Sequence, residues 1–396
     1  AAAHRLLSEG HAYYAYDTPE ELEQQRESSK QGYDRRFRDM SDVEREGFRA
    51  AGNPGVVRFR VPLEGEVIFT DAVLGKVKRK NRDLIPDPVL LKSDGFPTYH
   101  LAAVVDDHLM EITHVLRGQE WLPTATLHIL VARALGFEPP VYCHLPVVTG
   151  KDGSKLSKRH GSTAVREFRD QGYLPEAMIN YLVRLGWSLD DSTEIFDLRT
   201  LEQVFSLSRL SRSPAVFDFK KLEWINGHYI REKSEAELAD LLLPFCQRAG
   251  FIADPPGEYE QTLLSRLVPM LQPRMKRLAD AADQIRFLFT DDIQIDAEML
   301  IPRKGTAAEA RNHLEAAAEL IQDNGTEDPG TLEEAFRLRA EASGAGLGQF
   351  MHPLRSAVTG STVSPPMFGS LQILGPERTL KRIDTALSIL STEEHK

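Results

Sequence analysis

Residues 150 to 162 read GKDGSKLSKRHGS, with four Lys or Arg and one His among three glycines. Such a segment is suited to closing over a polyphosphate. Its cations would meet the negative charge that develops when a phosphoryl bond is attacked, and its glycines permit the motion. It is not a Walker loop, because no Gly-Lys-Ser/Thr closes the glycine run. A solvated basic surface loop has the same composition, so the segment alone leaves both readings open.

Holding a loop of this kind takes a scaffold, and 396 residues exceed one hydrophobic core, which argues for two to four domains. Hydrophobic residues make up 41% and charged residues 27%, the composition of an ordinary folded protein. No apolar run approaches the roughly 18 residues of a membrane span, so no membrane association is expected. Cys143 and Cys246 lie far apart and fit neither a disulfide framework nor zinc-ligand spacing, which points to a reducing cytoplasm. His100, His108, His114, His128 and His144 match no zinc pattern, so no metal ligand is assigned among them. The formal net charge of -11 argues against a binder that grips any nucleic acid through its phosphates. It leaves room for local basic patches such as Lys76, Lys78, Arg79, Lys80 and Arg82.

The periodicity predicts a helix for AAAHRLL and charged helical structure from Thr18 to about Ala51, with Thr18-Pro19-Glu20-Glu21 as a helix start. After Gly52-Asn53-Pro54-Gly55, the alternation in VVRFRVPLEGEVIFTDAVLGKVKRK predicts short antiparallel strands. Apolar runs at Leu101 to Val105 and Ile112 to Leu116 come next, then helical spacing from Ala125 to Leu135 and a strand candidate from Val141 to Val148. Strand, helix and strand without a hairpin turn predict a parallel α/β unit. The basic loop follows its last strand, where open α/β sheets place their ligand crevices. The stretch from about Thr163 to Tyr229 reads as helical, and after Glu232 nearly everything does, punctuated by Asp254-Pro255-Pro256-Gly257 and Asp328-Pro329-Gly330.

Lys155-Leu156-Ser157-Lys158-Arg159 resembles the Lys-Met-Ser-Lys-Ser signature of class I aminoacyl-tRNA synthetases, in the form found in glutamyl-tRNA synthetases. DGFPTYHLAAVVDDHLMEITHVLRGQEWL (94 to 122) resembles the second half-Rossmann segment of those enzymes, and FDFKKLEWINGHYI (217 to 230) the end of their stem-contact region. HPLRSAVTG and LGPERTLKRIDTAL resemble parts of their helical anticodon-binding domain, so the resemblance runs along essentially the whole chain. It implies a partial class I Rossmann α/β catalytic domain with an α+β insertion, followed by an all-helical C-terminal anticodon-binding domain. The implied divisions are 1–12 for the last helix of a first half-Rossmann unit, 13–97 for the acceptor-stem insertion and 98–149 for the second half-Rossmann unit. The signature loop and stem-contact region would occupy 150–234, and the anticodon-binding domain 235–396.

The implied activity is ATP-dependent, Mg2+-assisted activation of L-glutamate and its transfer to the 3′ end of tRNA(Glu), by a cytoplasmic monomer. The resemblance implies ATP contacts from Lys158, with Lys155 and Arg159 assisting in catalysis and Glu120 and Trp121 on the nucleotide side. It implies a glutamate pocket with Tyr99 as lining and Arg117 as carboxylate ligand, where a planar two-point donor is the physical reason for Arg. Taken alone, Tyr99 would read as a core aromatic and Arg117 as the ion-pair partner of Asp106 or Asp107. Lys76 to Arg82 would contact tRNA phosphates, and Arg355 is a candidate for reading the anticodon. Some members of the family carry zinc-binding cysteines where this chain has Ala15 and Asp17, so no zinc is expected.

No His-Ile-Gly-His signature is found, and His128-Ile129 continues into Leu-Val. With its mid-helix start, the chain reads as truncated and weakly active or inactive alone, with an unpaired sheet edge and an uncovered apolar face. A non-catalytic tRNA-binding remnant is the alternative. Glutaminyl-tRNA synthetase is disfavoured because its anticodon-binding region is built of β-barrels. The helical tail likewise excludes the shortened paralogue that glutamylates a tRNA base. Discrimination between tRNA(Glu) and tRNA(Gln) is left open.

Overall fold

The computed structural model describes residues 1–28, 33–53, 55–303 and 305–393, and its strands are short. Among the described residues they are Ala12–Ala15 (β1), Val56–Phe59 (β2), Glu66–Asp71 (β3), Gly75–Lys80 (β4), Val89–Leu91 (β5), His114–Gly118 (β6), Val141–Leu145 (β7), Val148–Thr149 (β8) and Ala215–Val216 (β9). Two compact units divide the chain, one made of Ala1–Leu156 and Leu182–Phe217, the other of Ser157–Tyr181 and Asp218–Lys396.

In the first unit, β1, β2 and β5 form an antiparallel sheet, and β3 and β4 form an antiparallel hairpin. The alternation of the sequence is visible in the hairpin: Lys76, Lys78 and Lys80 are exposed, while Val77 and Arg79 between them are half-buried. Its turn is held by Asp71, whose Oδ1 accepts from the backbone N–H of Val73 and of Leu74, both at 2.9 Å. Ala3 and Leu6 of the helix Ala2–Ser8, Val57 and Phe59 of β2, Leu101 and Val104, and Leu127 and Val131 pack into one core. That core joins the sheet to the helices Tyr99–Leu109 and Leu122–Ala134. Removing its Val, Leu and Phe side chains from water supplies about 1.5–3 kcal/mol each.

β6 and β7 pair in parallel, connected through the helix Leu122–Ala134, as the α/β reading predicts. Leu101 to Val105 lie in a helix. The strand expected from Val141 to Val148 ends at Leu145. Pro146 has no N–H for a ladder, and Val148–Thr149 then pairs with Ala215–Val216. A short strand therefore interrupts the stretch read as helical from Thr163 to Tyr229. On the β6–β7 sheet Leu116 and Val141 are exposed.

The charged stretch after Thr18 folds as two helices, Pro19–Ser28 and Asp42–Ala50. Thr18 and Glu21 cap the first reciprocally, and Ser41 and Glu44 the second. Between them Phe37 is buried, edge-on to both Tyr16 and Phe48.

The second unit is helical almost throughout from Phe219 onward. Buried Asn226 accepts from Leu174 N–H at 2.8 Å and donates to the carbonyls of Gly172 and Lys276, fastening the loop at Gly172 to the helix Phe219–Glu232. Arg382 of the helix Pro376–Glu393 donates to the carbonyls of Phe287 and Thr290, and Arg378 to those of Leu288 and Thr290. The exposed carbonyl end of the helix Leu278–Phe289 is thereby satisfied.

Candidate active site

Arg117 stands near the end of β6, in register with His144 on β7. Its Nε donates to His144 Nε2 at 3.1 Å, its Nη1 to the Tyr99 hydroxyl at 3.4 Å and its Nη2 to the Trp121 carbonyl at 3.3 Å. The guanidinium carbon lies 5.3 Å from the centre of the Tyr142 ring, within cation–π range. Among the described residues no ion pair joins Arg117 to Asp106 or Asp107, although its charge opposes the rise that burial gives the Asp107 carboxyl. Tyr99 is 50% exposed, which sets aside the core-aromatic reading. Its ring packs 5.4 Å from Trp121 and 5.5 Å from His128, centre to centre, so Tyr99, Arg117 and Trp121 form one open, amphipathic surface.

Behind this surface lie two histidine contacts. His100 Nδ1 and His128 Nε2 are 3.1 Å apart. Burial pushes the His128 imidazole down to about 3, with Arg117 and then His100 acting in the same direction. Burial and Arg117 lower His100 too, so both rings are neutral at physiological pH. His144 is fully buried and its Nδ1 lies 2.6 Å from Asp71 Oδ2, on a side chain that comes from the β3–β4 hairpin. Burial also lowers the His144 imidazole, with Asp71 opposing and Arg117 assisting. Each of these histidines has a partner within the fold.

Glu120 and Trp121 occupy a 3-10 turn just beyond β6. Lys155 Nζ donates to Glu120 Oε1 at 3.1 Å. The Glu120 carboxyl is held below its ordinary range first by its own backbone N–H and then by Lys155. Lys155 follows a tight turn in which Gly150 N–H donates to Ser154 O and Leu156 N–H to Val148 O, both at 2.9 Å. The first half of the basic loop is thus a hydrogen-bonded hairpin. Its second half belongs to the other unit, where Lys158–His160 form a 3-10 turn with Lys158 and Arg159 exposed. Gly161 ends that turn at φ +122°, and a Cβ there would lie 2.9 Å from Phe219, so the position calls for glycine twice over.

Tyr99, Arg117 and Trp121 are therefore brought together, and Glu120 meets Lys155. Lys76, Lys78 and Lys80 share the open face of β4, with Lys78 ion-paired to Glu66 at 2.8 Å, and Arg82 is exposed beyond it. Arg355, in the helix Leu347–Thr359 of the second unit, donates to Ser364 Oγ, and burial with nearby Arg274 lowers its pKa. Ser364 and Arg274 line a cavity of about 220 Å³ with Lys276 and Pro365. Ala15 is buried, and Asp17 pairs with Arg36 at 2.9 Å. Among the described residues no group of three or more His, Cys, Asp and Glu is placed to hold a metal ion. The residues that sequence reasoning missed are Asp71 and His144. The β6–β7 register, which the sequence does not reveal, is what sets Arg117 opposite His144.

Residues 1–224 match the family of tRNA synthetases class I (E and Q), catalytic domain, and residues 237–387 match an anticodon binding domain. The chain is 45% identical to the glutamate–tRNA ligase of Borrelia recurrentis over 99% of its own length and 78% of that protein's. It is also 45% identical to the glutamate–tRNA ligase of Borreliella burgdorferi, over 98% of this chain and 80% of that one. The solved structure of a glutamate tRNA ligase from Elizabethkingia meningosepticum in complex with its amino acid superposes with a TM-score of 0.78 at 29% identity. That superposition covers 98% of this chain and 82% of the other. These matches lend no support to the expectation that the chain is weakly active or inactive alone, nor to the alternative of a non-catalytic tRNA-binding remnant. On the two-part architecture and these relatives together, the chain belongs to the glutamate–tRNA ligase family of class I tRNA synthetases.

Proposed function

We infer that this chain is a glutamate–tRNA ligase that joins L-glutamate to the 3′ end of tRNA(Glu) at the expense of ATP. The observation that supports the pocket assignment is the Arg117 guanidinium, within hydrogen-bond reach of the Tyr99 hydroxyl and the Trp121 carbonyl on an open surface. In the proposed reaction the α-carboxylate of glutamate attacks the α-phosphorus of ATP and pyrophosphate leaves. A hydroxyl of the terminal ribose of the tRNA then takes the acyl group and AMP departs. No covalent enzyme intermediate is needed, so the protein contributes positioning and electrostatics.

Arg117 would hold a carboxylate of the amino acid, and Tyr99 would wall its pocket. Lys158, assisted by Lys155 and Arg159, would stabilise charge on the phosphates, with Glu120 and Trp121 on the nucleotide side. The exposed ammonium and guanidinium groups fit a triphosphate. Mg2+ would arrive on those phosphates, where it neutralises charge. Lys76, Lys78, Arg79, Lys80 and Arg82 would contact the acceptor end and Arg355 the anticodon, within the divisions 1–12, 13–97, 98–149, 150–234 and 235–396. The proposal includes a monomer working in the cytoplasm. Among the described residues no helix is long and apolar enough to cross a membrane. Whether tRNA(Gln) is a second substrate rests on the anticodon contacts.

ATP–pyrophosphate exchange dependent on tRNA, run with L-glutamate and with L-glutamine, tests the reading. Exchange with glutamate that falls about 100-fold in kcat in Lys158→Ala is expected. Exchange only with glutamine would refute it.

A further inference from the structure

We propose that Asp71 and His144 are positioning residues for the amino-acid pocket: together they fix the orientation in which Arg117 meets its carboxylate. This rests on the assignment of Arg117 to that pocket and goes beyond it, because neither residue lies at the surface.

The geometry is a relay of three side chains from three strands. Asp71 closes β3 and is 1% exposed, and His144 on β7 is 0% exposed. One Asp71 oxygen accepts from Val73 and Leu74 N–H, while the other accepts from His144 N–H at 3.1 Å and lies 2.6 Å from His144 Nδ1. A carboxylate so placed fixes the tautomer: Nδ1 carries the proton and donates it, leaving Nε2 with a lone pair. That lone pair is what Arg117 Nε needs at 3.1 Å. With Nε occupied from behind and the Tyr142 ring beneath, the two Nη groups are turned toward Tyr99 and Trp121. An arginine without this rear acceptor would swing about its last torsions, and misplacing a binding group by about 1 Å can cost on the order of 100-fold.

Two polar substitutions separate positioning from plain support. In His144→Asn the side-chain amide nitrogen takes the place of Nδ1, keeping the bond to Asp71 and withdrawing the acceptor from Arg117. In His144→Gln the amide oxygen takes the place of Nε2, keeping the acceptor and giving up Asp71. We expect the Asn variant to be the more stable of the two and yet to show a KM for L-glutamate raised about 10-fold, with the KM for ATP unchanged within about 2-fold. The Gln variant should stay close to the parent in glutamate KM. In an Arg117→Ala background, His144→Asn should add nothing, because a residue acting only through Arg117 has nothing left to orient.

The relay is overturned if glutamate KM follows stability, with Gln worse than Asn, or if the effects of His144→Asn and Arg117→Ala multiply in the double variant. It is overturned equally if the KM for ATP rises in step with that for glutamate. If Arg117→Ala alone leaves the glutamate KM unchanged, the pocket assignment itself fails and the relay falls with it. The single and double variants thus distinguish the two failures.

Discussion

Asp87 is a heavily engaged buried charge of the first unit and a direct place to perturb it. Its carboxylate is 0% exposed, accepts from the Tyr13 hydroxyl at 2.8 Å and from Val61 N–H at 3.1 Å, and takes Arg38 Nη1 on both oxygens at 2.8 and 2.7 Å. Arg35 lies 3.5 Å away. Asp87→Asn retains the shape and one carbonyl oxygen for Val61 but removes the charge, stranding Arg38, which is 8% exposed. Breaking a buried pair by deleting one partner costs about 3–5 kcal/mol. Asp87→Ala also orphans the Val61 N–H, at about 1–3 kcal/mol. In addition it places alanine at φ +38°, a left-handed conformation that asparagine tolerates better. The expected order is therefore parent, then Asn, then Ala, with the larger step first. Because the chain has two compact units, a single melting transition does not isolate the effect. Native-state hydrogen exchange at the amides of β1 and β2 does, since it reads the local opening free energy. A cost below about 1 kcal/mol for Asp87→Asn would refute the reasoning. So would equal costs for Asn and Ala. Partial recovery in Asp87→Asn with Arg38→Met would support it, because the stranded charge is then gone.

Two further outcomes follow from the same unit. His128 is pushed down to about 3 from 6.5, and His100 and His144 are also lowered, so between those pH values the unfolded chain binds more protons than the native one. Their contribution is fully present above pH 6.5 and is lost on acidification, by about 1.4 kcal/mol per pH unit for each histidine titrating only when unfolded. Stability measured from pH 4.5 to 7 should lose about one proton of slope in His128→Leu, and an unchanged slope would count against a neutral buried ring. On the hairpin, replacing Lys76, Lys78 and Lys80 together by Ala should weaken tRNA binding about uniformly across sequences and reduce the salt slope of the affinity by up to about 3. The KM for glutamate should not move, and an unaltered salt slope would remove this face from the tRNA-binding surface.

The parts of the fold legible in sequence are those where one rule acts alone. Alternation from Glu66 to Lys80 gives strands because one face of β3 and β4 is the more buried and the other is open, and the Thr18 helix start is visible because capping is local. Sequence alone could not show that Val148–Thr149 pairs with Ala215–Val216, because partners 67 residues apart leave no periodic trace and each strand is two residues long. In the site, Arg117 and Tyr99 were visible only through resemblance, since a lone arginine or tyrosine has bland alternatives. His144 looked like one more buried histidine, and its tie to Asp71 spans 73 positions. Long-range polar contacts of this kind are specified by tertiary packing, to which a sequence pattern is blind.

The division of the chain has a practical consequence for anyone wishing to dissect it. Residues 182–217 return to the first unit after the chain has already entered the second at Ser157. Any single scission after residue 156 and before 218 therefore leaves at least one unit in two pieces. Two-fragment complementation should consequently yield activity only where the severed parts of a unit reassociate. The covalent order of the polypeptide thus makes the two halves of this enzyme inseparable by one cut through that segment.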